Sequence, residues 1–368
     1  MNNEKTITKV RDSGIELLRI ILMLQVIYLH LSAYGKYATV NIGIGGAHEL
    51  IYWLHQTLSR CPVYVYILIS GYFSVTSKAT MKTIWPKVKK IYSSAIFYSL
   101  AITFLLLATG LVKVSKIDII KSFFPLTSRT WYFISAYLLV FILSPVVNIA
   151  LTRLSKQDYK ILLVILFFLF SIWQFAANYE PINEVVSVKS VIEATNGRGL
   201  YGFLFMYIIG GYIRLHVKHA EKPQWKYLAW YFGFAILDVI LVYAVRGVPV
   251  LEYYTKVVNV NNAPIAIIQG VCLFMFFRSV HFKSKFINRI SSRNLGVYMI
   301  HEHWLMRKVI WNKLFVITKK AEFYASPIFI VKIYGIIFTI YIAGILIDMC
   351  REYIFKGIGS LYKKVVKK

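Results

Sequence analysis

Acidic residues are scarce, with 16 Asp and Glu against 43 Lys and Arg in 368 residues, and only 16% of the chain is charged. With 58% hydrophobic residues and positive mean hydropathy, that shortage excludes an ordinary water-soluble domain. Cysteine is rarer still. Cys61, Cys272 and Cys350 lie scattered in or beside apolar runs with no metal-like spacing, so they read as small core residues, and no disulfide or zinc site is implied. There is no low-complexity linker, strong internal repeat or soluble module, so one membrane domain over residues 1–368 is expected. The long apolar runs also lack the alternation of a transmembrane barrel. No small-residue cleavage pattern follows the first run, and Arg19 interrupts it, so that segment is expected to be retained rather than removed as a signal.

What remains is helix. A backbone in lipid must satisfy its own hydrogen bonds, so the fold class is all-α, a polytopic membrane helical bundle. Ten spans are expected near 15–33, 61–75, 91–112, 131–151, 160–177, 200–216, 227–245, 262–280, 294–315 and 327–350. The net charge of +27 invites nucleic acid, but the basic residues follow alternate loops, about 26 on one side against about 15 on the other, which excludes it. Both termini are then cytoplasmic. The densest inner clusters are Lys78 to Lys90, Arg278 to Arg293 and the tail Lys363 to Lys368, suited to orientation and to anionic headgroups of the bilayer.

Two ionisable side chains sit inside the first span. Arg19 and His30 are eleven residues apart, roughly 16 Å along a helix and nearly a whole number of turns, so they share one face. Buried charges in a span by default face a bundle interior or a wet cavity. Glu16, three residues before Arg19, can pair with it, which leaves His30 as the titratable group deeper in the span. The plainer alternatives are a core histidine bonded to a neighbouring helix and a snorkelling arginine.

Ser70 and Gly71 suit close helix packing better than a nucleophile with its oxyanion donor, and no Ser-His-Asp order is apparent. Trp131, Tyr132 and Phe133 open a span as an interfacial belt would; the alternative is a wall of an acceptor entrance, since aromatic faces stack on sugars. His301-Glu302-His303 invites a metal, but histidines two apart point to different helix faces, so no metal is expected. His301 is instead a candidate cavity-lining group, with Tyr298 one turn earlier on the same face. Arg307 and Lys308 are expected near headgroups, with anionic sugar as the alternative, and Asp238 and Asp348 have no evident partner in the sequence. The outer segments 33–60, 113–129 and 178–199 are long enough to be acceptor-side elements.

Gly14-Ile15-Glu16-Leu17-Leu18-Arg19 followed by His30 resembles the opening helix of the membrane acyltransferase-3 family. Ile69-Ser70-Gly71-Tyr72-Phe73, Trp131-Tyr132-Phe133 with Ser144-Pro145, and Leu295-Gly296-Val297-Tyr298-Met299-Ile300-His301 resemble later family elements in the family's order. The resemblance covers nearly the whole chain. It implies an O-acetyltransferase that takes acetyl from cytoplasmic acetyl-coenzyme A, with no permanently bound cofactor, and delivers it to a hydroxyl of a surface polysaccharide or lipid-linked oligosaccharide. It also implies that Arg19 and His30 are catalytic, with Arg19 further available to donor phosphate. Where the family often has two arginines three apart, this chain has Lys87 and Lys90, which keep the charge but lose the bidentate fork.

Two rivals stand beside this. A transporter or flippase also needs a polar path, but more often shows inverted repeats and Gly- or Pro-broken paired helices, which are not detected. An assembly partner in a glycan-synthesis complex would tolerate loss of both Arg19 and His30. Abundant Lys, Ile, Tyr and Phe point to an AT-rich bacterial source and so to a multi-pass protein of the bacterial cell membrane. The sequence leaves the oligomeric state open.

Overall fold

The computed structural model describes residues 12–37, 46–77, 80–128, 130–173, 197–248, 254–255 and 260–366, and among them no residue is in a strand. In chain order the α-helices are α1 (Ser13–Tyr34), α2 (Ala47–Leu58), α3 (Pro62–Ser74), α4 (Met81–Thr109), α5 (Lys116–Phe123), α6 (Tyr132–Arg153), α7 (Lys156–Phe167), α8 (Leu200–His216), α9 (Trp225–Ala244), α10 (Pro264–Arg278), α11 (Lys285–Ser291), α12 (Asn294–His301), α13 (Trp304–Val309), α14 (Ala321–Ala325) and α15 (Phe329–Val366). Five described helices are long and apolar enough to cross a membrane: α1, α4, α6, α9 and the Phe329–Phe355 stretch of α15. The protein is therefore an all-helical integral membrane protein.

The described parts of the ten expected spans are largely helical, but they do not form ten full-length rods, and residues 174–177 of the fifth lie outside the described residues. Helix α3 has 13 residues, α8 has 17 and α10 has 15. Thirteen residues rise roughly 20 Å, short of the roughly 30 Å hydrocarbon layer. Helix α7 continues as a π-helical turn over Phe168–Trp173. The 294–315 interval is broken: α12 stops at His301, and α13 starts again behind His303, whose ring accepts from the Leu305 N–H. Polar residues inside an apolar run have ended the helix there. Of the expected outer segments, 38–45, residue 129 and 174–196 lie outside the described residues, as do Lys78 and the final two lysines.

Helix α1 is the axis of the molecule and touches α3, α10, α11, α12 and α15. Its start is fixed three ways: the Asp12 carboxylate accepts from Gly14 N–H, Ser13 N–H donates to Phe282 O at 3.0 Å, and Gly14 lies against the carbonyls of Phe277 and Val280 where a Cβ would not fit. Ile15, Leu18 and Leu22 join one core with α3, α8 and α10, while Met23, Val26, Ile27 and Leu31 join a second with α4, α12 and α15. Because lipid is as apolar as leucine, this packing is held by close fit rather than by the hydrophobic effect. The α3–α8 pair shows it best. Gly71 meets the Tyr207 backbone and Gly210 meets the Leu68 carbonyl, so each helix uses a missing side chain to approach the other.

Several buried charges are paired, while Arg278 is met instead by the Tyr72 hydroxyl and the Val217 carbonyl. Arg60, in the α2–α3 turn, pairs with Asp238 of α9, and both side chains are almost wholly buried. Asp348 of α15 takes Arg293 at 3.0 Å, Arg351 at 2.9 Å and the Tyr98 hydroxyl of α4. The Arg60–Asp238 and Arg293–Asp348 pairs join residues 178 and 55 apart and are not visible in the sequence, whereas Arg351, three residues after Asp348, was a partner within reach that the sequence reading missed. Removing one member would leave an uncompensated buried charge, at a cost of about 3–5 kcal/mol.

Candidate functional site

A cavity of ≈ 450 Å³ opens between α1, α3, α6 and α12. Its wall includes Glu16, Arg19, Met23 and Val26 of α1, Tyr66 and Ser70 of α3, Ile91 of α4, Phe133 and Tyr137 of α6, and Asn294 and Tyr298 of α12. The α1 residues follow the three- and four-residue steps of one helix face. Arg19 is held by an ion pair to Glu16, and Glu16 in turn accepts from Ser291 Oγ at 2.6 Å. The Arg19 guanidinium lies 6.0 Å from the Phe73 ring centre, and its backbone carbonyl accepts from Tyr66 Oη and from Asn294 Nδ2 at 2.8 Å. Polar contacts from three helices thus fix this arginine at the cavity wall.

His30 lies one turn beyond Val26, and the cavity wall ends before it. It is not alone there. Its Nδ1 lies 3.0 Å from His301 Nε2 and 3.1 Å from Glu302 Oε2. The tautomers follow from the neighbours: His301 Nδ1 is 2.6 Å from the Val297 carbonyl and so carries its hydrogen, leaving Nε2 as an acceptor. Both groups facing His30 Nδ1 are then acceptors, so Nδ1 carries the hydrogen and Nε2 of His30 keeps a free lone pair. Glu302 Oε1 accepts from Tyr34 Oη at 3.2 Å and from Arg307 at 3.2 Å. His301 therefore orients an imidazole whose far nitrogen can act as a base, and a carboxylate held by an arginine and a tyrosine stands 3.1 Å from its near nitrogen.

The ligand atoms of His30, His301 and Glu302 all lie within 4.8 Å of one another, close enough to hold a metal ion. The direct contact between the two imidazoles uses one nitrogen of each, while Glu302 Oε2 has no hydrogen-bond partner among the described residues. His303, as its two-residue offset from His301 requires, faces elsewhere, stacked on Trp304 and 5.8 Å from the Trp131 ring.

The remaining sequence candidates divide. Tyr298 joins the cavity to the histidine cluster: it lines the wall, its ring is 5.9 Å from His301, and its buried hydroxyl has no hydrogen-bond partner among the described residues. Ser70 lines the cavity but donates to the Tyr66 carbonyl one turn back. Trp131 is wholly buried, away from both cavity wall and lipid, which corrects the interfacial-belt reading of this residue. Lys87 and Lys90 are exposed and off the cavity wall, although Ile91, next on the same helix, is on it. Arg307, expected at headgroups, is instead engaged with Glu302 and Tyr34. Glu302 had no role in the sequence reading; the signal was there, a carboxylate inside an apolar run beside a histidine.

Residues 12–349 match the family model described as an acyltransferase domain. No curated protein and no solved structure matches the chain.

Proposed function

Since the chain belongs to the acyltransferase-3 family, we propose that it moves acetyl from cytoplasmic acetyl-coenzyme A to a hydroxyl of a cell-surface polysaccharide or its lipid-linked precursor at the outer face of a bacterial cell membrane. The observation that carries this reading is the Glu302–His30–His301 arrangement set beyond the cavity that Arg19 lines.

The phosphates of coenzyme A stay in water, while its thin pantetheine arm enters the cavity past Arg19. Lys87 and Lys90, exposed at the same end of α4, and Arg19 meet the phosphates. The acceptor hydroxyl gives its proton to His30 Nε2 as its oxygen bonds to the thioester carbonyl carbon. The free Tyr298 hydroxyl donates to the carbonyl oxygen as charge develops there. The C–S bond then breaks, the coenzyme A thiolate leaves and takes up the proton, and the sugar keeps the acetyl ester. Glu302 steadies the imidazolium formed in between. General-base work of this kind contributes about 10²- to 10⁴-fold.

Deleting the protein should lower the mass of the surface polysaccharide by whole acetyl groups without stopping its export. His30→Ala should reproduce that loss at normal protein level. A deletion that instead traps unmodified glycan inside the cell would favour the flippase and overturn the enzymatic reading.

A further inference from the structure

Among the described residues, one cation near the histidine cluster has no carboxylate partner. Arg198 precedes α8, and its guanidinium is exposed and lies 5.9 Å from the Tyr132 ring centre. Tyr132 sits between Trp131, whose ring stands 5.8 Å from that of His303, and Phe133, whose ring stands 5.6 Å from that of Tyr298, so Arg198 lies at the rim of the cluster. Among the described residues it pairs with no carboxylate. Arg307, which is also close to the cluster, is engaged by Glu302 and Tyr34.

The placement of Arg198 is fixed by the backbone. Gly197 before it has φ +78°, and a Cβ there would crowd the Tyr64 hydroxyl and the Asn262 backbone. Only glycine makes that turn without strain. The turn brings Arg198 to Tyr132, over whose ring its guanidinium lies.

Left alone, that placement is unfavourable. Positive charge beside a base that must take up a proton opposes the transition state. An anion delivered with the substrate reverses the sign of the effect. Around the same end, Lys116 and Lys121 of α5 and Lys308 of α13 are exposed, and α5 is tied to α13 by the Trp304 indole donating to Asp118 at 2.9 Å. The surroundings repel a cationic substrate and attract an anionic one.

We propose that Arg198 is a subsite for an oxyanion carried by the acceptor glycan, a carboxylate or a phosphate on a sugar near the hydroxyl that is acetylated. This rests on the acetyltransferase reading above and narrows its acceptor to acidic saccharide. Planar two-point contact with a carboxylate or phosphate is what a guanidinium provides and an ammonium does not.

The test uses the full chain in lipid nanodiscs with acetyl-coenzyme A and three matched oligosaccharides: neutral, carboxylated and phosphorylated. Wild type, Arg198→Gln and Arg198→Lys are compared by kcat/KM. Wild type should prefer one or both acidic acceptors to the neutral one. Arg198→Gln should cut that preference by about 10- to 100-fold, as expected for losing a hydrogen bond to a charged group, and Arg198→Lys should restore part of it. The acidic acceptor that loses most identifies the oxyanion. A preference ratio in Arg198→Gln within twofold of wild type overturns the proposal while acetyl transfer itself stands. Equal use of all three acceptors by wild type overturns it as well. If wild type acetylates none of them, the acetyltransferase reading fails first, and the subsite proposal falls with it.

Discussion

Glu302→Gln keeps the shape of the side chain and removes its charge, so it isolates what the carboxylate does for His30. In the structure Oε2 stands 3.1 Å from His30 Nδ1. A unit charge pair at that distance interacts by about 5 kcal/mol at an effective dielectric of 20. The Arg307 guanidinium, 3.2 Å from the other oxygen of the same carboxylate, offsets part of this, and glutamine still offers an acceptor to the Nδ1 hydrogen. About 2–4 kcal/mol of transition-state stabilisation should be lost, or about 30- to 1,000-fold in kcat. Because His30 is charged only during the reaction, KM for acetyl-coenzyme A should hardly move. Acetyl transfer from labelled donor to polysaccharide in membrane vesicles, normalised to protein amount, measures both constants. A kcat within threefold of wild type would refute the assignment of Glu302 as the group that orients and stabilises His30.

Other consequences are equally direct. Gly71→Val should force α3 away from the Tyr207 backbone and destabilise the protein by about 1–3 kcal/mol, read as a lower melting temperature in detergent; an unchanged melting temperature would contradict the close approach. Neutralising Lys87 and Lys90 together should raise KM for acetyl-coenzyme A without lowering kcat, and an unchanged KM would remove their donor role. The Asp12 carboxylate, 2.6 Å from His281 Nδ1, holds that imidazole above its ordinary pKa. Its stabilising contribution is therefore complete below about pH 6.5 and fades as pH rises through the raised value. The melting-temperature gap between wild type and His281→Gln should accordingly shrink from about pH 6 to about pH 9, and a gap that widens would refute the pairing.

Much of the architecture was legible because lipid leaves the chain few choices. The described parts of the expected spans are largely helical, five of the helices are long and apolar enough to cross a membrane, and Glu16 pairs with Arg19 as the three-residue spacing implies. What periodicity could not supply was where an apolar run stops being one rod. The 294–315 run looks continuous by hydropathy, yet it breaks at Glu302 and His303, and that break turns Glu302 toward His30. Long-range pairing was equally hidden. The His30–His301 contact joins residues 271 apart, and nothing local in either helix announces it. Trp131 shows the opposite error, since an aromatic opening a span has the look of a belt residue until its burial against His303 is seen.

The central claim is that His30 accepts the acceptor's proton while acetyl passes from donor to glycan. It is tested most directly with purified protein in sealed liposomes carrying labelled acetyl-coenzyme A on one side of the bilayer and polysaccharide on the other, set up in both orientations. Wild type should place label on the polysaccharide across the bilayer, and His30→Ala, equally folded and equally abundant, should place almost none. Transfer by His30→Ala at the wild-type rate would contradict the account.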